Sequence, residues 1–131
     1  MKAISLEQIG AKDKAIEEYE TLYLKNSQQL DYLYKTTFLQ YEVQRFKEAS
    51  TNADILLANK KIDSLEITFP KGETEQQQVP MRASLLNLKG LIEQAQGNKE
   101  EARKHFDAAL VLTPDFFIAR QNLDLLIKSE K

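Results

Sequence analysis

The sequence has no cysteine, which rules out disulfides, thiolate metal sites and a cysteine nucleophile. Glycine and proline are scarce, four and three residues. They stand singly, at Gly10, Gly72, Gly90 and Gly97 and at Pro70, Pro80 and Pro114, as punctuation rather than as a glycine-rich phosphate loop. Long apolar runs are missing too: the longest are four or five residues, against about 20 for a membrane-crossing helix. The opening Met1-Lys2-Ala3-Ile4-Ser5 has no apolar h-region, so no signal peptide is expected within this chain. Positive charge is not in excess. A net charge of −2 gives no global field to recruit nucleic acid or an anionic membrane. What remains is 131 residues, 42% hydrophobic and 29% charged, ordinary values for one folded domain. Cytoplasmic and extracytoplasmic locations both stay open.

The most organised stretch is Gly97–Pro114. A glycine opens a turn, the acidic pair Glu100-Glu101 follows at a helix start, Ala102, Phe106, Ala109 and Leu110 recur at helical spacing, and Pro114 closes the unit. With Leu86, Leu88 and Gly90 upstream, it resembles the second half of a tetratricopeptide repeat, a helix–turn–helix unit of 34 residues. Gly97 precedes Ala102 by five positions. Gly10 and Ala15 repeat that spacing, and Gln44 stands five before Ala49 where glycine is usual. The gap from Ala15 to Ala49 is 34, and that from Ala49 to Ala102 is 53, one period plus 19.

The resemblance therefore implies an all-α fold: a right-handed solenoid of tetratricopeptide helix–turn–helix units with a β-hairpin-like insertion and a C-terminal capping helix. The expected layout is one domain over 1–131, with a partial repeat 1 at 1–29, repeat 2 at 30–63, an insertion at 64–82, repeat 3 at 83–116 and the cap at 116–129. In repeat 1, Lys2–Ile9 is the remnant of a first helix bearing Ile4, Leu6 and Ile9. Gly10 is its turn, and Ala11–Lys25 is its second helix. A chain opening inside a helix suggests either missing preceding sequence or an unusual native start. In the insertion, Leu65, Ile67 and Phe69 alternate with polar residues and Pro70-Lys71-Gly72-Glu73 reads as a turn, which favours a hairpin over a flexible polar loop. Departures from the family pattern are Glu93 where tyrosine is usual, Gln44 for the turn glycine, and Thr37 for a small residue.

Chemistry is sparse. The sole histidine, His105, is expected on the surface opposite Ala102 and Ala109. Glu17-Glu18 and Glu100-Glu101 are expected to favour helix N-terminal dipoles rather than to form a catalytic pair. No catalytic residue, metal or cofactor is expected, and the chain reads as a non-enzyme. The resemblance instead implies a concave face lined by first helices, which binds a protein or peptide. Its residues would be Tyr34, Lys35, Phe38 and Tyr41 in repeat 2, Asn87, Leu91 and Gln94 in repeat 3, and Gln121 on the end helix, with Tyr34 and Asn87 the most open. Aromatics with a polar tip suit binding hot spots. A chaperone-type carboxylate clamp is not expected, because Ser84 and Leu88 stand where repeat 3 would need clamp residues. The alternative is a structural or assembly unit, pairing with itself or with a missing N-terminal part through Leu65, Ile67 and Phe69. Neither nucleic acid nor a spanned membrane enters either reading, and a homo-oligomer is compatible with both.

Overall fold

The computed structural model describes residues 6–129. Ile4 and the side chain of Leu6, expected in the remnant helix, lie outside the described residues. The chain forms two compact units, Met1–Leu56 and Leu57–Lys131. Among the described residues there are six α-helices and one two-stranded sheet.

The first unit holds α1 (Leu6–Lys25), α2 (Leu30–Glu42) and α3 (Phe46–Leu57), the last ending at the boundary. Ile16 of α1 and Leu30 and Leu33 of α2 are buried. At one end Lys12 Nζ donates to Glu42 Oε2 and Arg45 Nη2 to Asp13 Oδ1, both at 2.9 Å. At the other the rings of Tyr19 and Tyr32 stack at 6.3 Å, so the two helices run antiparallel. Two buried threonines satisfy their hydroxyls one turn back: Thr36 Oγ1 donates to Tyr32 O and Thr37 Oγ1 to Leu33 O. Gln40 is buried and ties α2 to α3, accepting from Asn52 Nδ2 at 2.8 Å.

Gly10 makes no turn. α1 runs unbroken through it, and its φ is not positive. A lone glycine costs a helix about 1 kcal/mol, which packing on α2 offsets. The expected division of this stretch into two helices is therefore corrected. Glu17-Glu18 fall in the middle of α1, not at a helix start.

The turns after α2 and before α5 (Lys99–Leu112) close alike. Arg45 N donates to Gln40 O across Gln44, which has φ 67°, and Asn98 N donates to Glu93 O across Gly97, which has φ 85°. Both are left-handed helix C-termini with the six-to-one hydrogen bond of the Schellman motif.

In the second unit Asn59 Oδ1 accepts from Lys61 N and caps a short 3-10 turn over 60–64. Then come β1 (Glu66–Lys71), β2 (Glu75–Pro80), α4 (Met81–Ala95), α5 and α6 (Phe117–Ser129). The strands pair antiparallel, with Ile67 opposite Val79 and Phe69 opposite Gln77. The insertion is thus a hairpin, turning at Gly72 with φ 82°. Pro70 and Pro80 sit in the alternate pairs, opposite Gln76 and Glu66. Neither can donate to the ladder, and that alternation directs both to the outer edges, where proline blunts strand addition.

The hairpin packs inward. Ile67 and Phe69 are half-buried against a core of Val79, Ala102, Phe106, Ala109, Phe116 and Leu126 among others, and Phe69 meets the edge of the Phe116 ring at 5.0 Å. Gln77 locks it to the start of α6, donating through Nε2 to Asp115 O while Oε1 accepts from Phe117 N, both at 2.9 Å. α4 meets α5 at Gly90, where a Cβ would stand 2.5–2.9 Å from three Phe106 ring atoms. The close approach there is ring on backbone.

Candidate partner-binding faces

In the first unit the α2 residues expected to be recognised differ in availability. Lys35 is exposed, with Nζ 5.6 Å from the Tyr19 ring centroid, a cation–π distance. Tyr34 is only 8% exposed, and its ring lies 4.9 Å from that of half-buried Phe38. Tyr41 is half-buried, 6.0 Å from Phe46. Burial pushes its hydroxyl pKa up, with Glu42 adding to the shift. The stripe is therefore partly packing: Tyr34 supports Phe38, and Lys35, Phe38 and Tyr41 present surface. The same unit holds an open polar cleft of about 320 Å³ lined by Glu20, Gln40, Lys47, Glu48, Thr51 and Asn52. It gathers amides and carboxylates without histidine, so it offers hydrogen bonds but no base poised near neutral pH.

In the second unit α4 and α6 are joined by Asn122 Nδ2 donating to Asn87 Oδ1 at 2.9 Å. Asn87, expected among the most open residues, is buried at 1%. Its amide spaces the two helices. Sequence reasoning missed Asn122, whose relation to Asn87 depends on how α6 folds back. Leu91 and Gln94 are half-buried and Gln121 is exposed. Leu125, one turn beyond Gln121, leaves a large apolar side chain 61% exposed. Leu65 is half-buried, like Ile67 and Phe69.

Glu100-Glu101 fall as expected, and His105 does not. Glu100 and Glu101 lie exposed in the first turn of α5, where a negative charge suits the helix dipole. His105 is not a free surface residue. Its side chain is 27% exposed, and Nδ1 meets Glu93 Oε1 across the α4–α5 seam. Desolvation pushes the Glu93 pKa up and Glu101 adds to that, while His105 and Lys89 oppose it. Glu93 was visible in the sequence as a departure from the repeat pattern, but its pairing with His105 was not.

Residues 83–116 match the family model of the tetratricopeptide repeat. The similarity to that repeat is carried by this segment. The matched segment contains most of α4 and all of α5 and stops at the entry to α6. Tetratricopeptide repeats generally mediate protein–protein interaction and typically act as non-catalytic scaffolds. No curated protein matches the chain. No helix among the described residues is long and apolar enough to cross a membrane.

Proposed function

We propose that this tetratricopeptide-repeat protein is a non-catalytic scaffold that binds a protein or peptide on the α4–α6 face of its second unit. Leu91, Gln94 and Gln121 would be the contacts, and Leu125 an apolar anchor. The observation that carries this reading is the pairing of exposed Leu125 with the amide-rich surface held by the Asn122–Asn87 bond. A rigid apolar anchor rimmed by amides suits an extended segment, whose backbone needs donors and acceptors while its side chains need apolar cover. On α2 of the first unit, Lys35, Phe38 and Tyr41 form a second contact surface, with Tyr34 as its support and Asn87 playing the same supporting part on α4. The boundaries of repeats 1 and 2 belong to this proposal, since the family match covers repeat 3.

The test is affinity capture followed by mass spectrometry, with wild type and the double variant Gln121→Arg, Leu125→Asp compared on equal footing. Both positions are exposed, so the fold should persist by circular dichroism. The expected result is a discrete partner retained by wild type and lost by the variant. A partner held equally by both would place recognition elsewhere. The assembly alternative has its own observation, the half-buried row Leu65, Ile67 and Phe69 on the hairpin, and light scattering that finds a monomer at high concentration would count against it.

A further inference from the structure

A departure from the repeat pattern meets the sole histidine at the α4–α5 seam. Glu93 stands on α4 where the repeat usually has tyrosine, and the sole histidine, His105, faces it from α5. Glu101 lies one turn before His105 on the same face of α5. The ligand atoms of all three lie within 4.8 Å of one another. We propose that Glu93, Glu101 and His105 bind a divalent transition-metal ion of the zinc class.

The first support is geometric. Glu101 and His105 are spaced i, i+4, so one rigid helix presents two ligands to the same point. The third comes from α4, whose register on α5 is fixed where the Phe106 ring lies on Gly90. The second support is a carboxylate oxygen closed to solvent. Glu93 Oε1 is shielded from water and lies against His105 Nδ1. The same nitrogen is 3.1 Å from Glu101 O. A proton held at that contact can be displaced by a cation bound to the same donors, since metal binding releases ligand protons.

Charge and donor type give the third support. Two carboxylates face one imidazole, with Lys104 3.3 Å from Glu101 at the exposed rim and Lys89 acting on Glu93. One imidazole nitrogen with two carboxylate oxygens suits zinc, and a water can complete four-coordination on the open side. Zinc donors lie about 2.0–2.2 Å from the ion, so the donor atoms must rearrange slightly. Exposed Glu101 can move inward, while Nδ1 exchanges its hydrogen for the ion.

The test uses the full chain and zinc chloride alone near neutral pH, by titration calorimetry and thermal melting, with magnesium as control. Wild type should bind one zinc ion and melt higher with it. Glu101→Gln should weaken zinc about tenfold or more while leaving the metal-free melt unchanged, because Glu101 is exposed and its exchange leaves the His105–Glu93 contact intact. His105→Gln should abolish binding, and cobalt should develop a visible absorption band only when His105 and Glu101 are both present. No zinc-dependent shift in wild type, or equal zinc affinity in wild type and Glu101→Gln, would overturn the proposal and leave His105–Glu93 as an ion pair only. If His105→Gln does not fold, the Glu101→Gln comparison decides alone.

Discussion

The α2–α3 and α4–α5 turns end their first helices with the same left-handed residue and the same backbone hydrogen bond, on different side chains: Gln44 in one, Gly97 in the other. Gly10 is the converse, a glycine at the expected spacing with no turn at all. Neither a glycine nor its spacing to an alanine fixes a turn by itself; the turn forms where the helix end packs. Glycine lowers the cost of a left-handed backbone, and a β-carbon there costs about 1–2 kcal/mol. Glycine in a helix interior costs about 1 kcal/mol instead.

That comparison can be broken or sharpened by substitution. The largest effect is expected at Gly90, where the new Cβ meets a fully buried ring. Gly90→Ala should destabilise by about 2 kcal/mol, because overpacking of up to about 3 exceeds the helix-propensity gain of about 1. Chemical denaturation measures it, and a neutral result would mean that Phe106 can leave its place.

Next come the two turns. Gly97→Ala should lose about 1 kcal/mol, whereas Gln44→Gly should gain about 0.5, since relief of left-handed strain exceeds the added entropy of the unfolded chain. Losses at both positions would refute the equivalence of the turns. The smallest effect concerns Asp63, which accepts from Arg82 Nε at 2.7 Å. That hydrogen bond lowers the carboxyl pKa. A lowered folded pKa gives stability that is present above the ordinary value near 4 and is lost as pH falls through the folded value. Asp63→Asn should therefore lower the neutral-pH melt slightly and flatten its fall in acid.

Local pattern made part of this structure legible. The spacing to Ala49 located the Gln44 turn although the residue was wrong for it, and the alternation of Leu65, Ile67 and Phe69 found the hairpin. The same spacing misled at Gly10, because Gly-x4-Ala also fits the interior of one helix. What stayed hidden depended on long-range placement. Gln77 reaches residues 38 and 40 positions away, and Asn87 is buried by a bond to a helix that returns 35 positions later. Tyr34 reads as an open aromatic from its place on α2, yet it packs beside Phe38. Glu93 and His105 each stood out alone, and only the seam between two helices brings them together.

The central claim is that the α4–α6 face receives a protein partner. The direct measurement places a photo-crosslinking residue at Gln121 on that face and, separately, at Asp107 on the exposed side of α5, in cells or extract. The account predicts one discrete heavier species from position 121 and none from 107. Crosslinking from position 107 with none from 121 would contradict it.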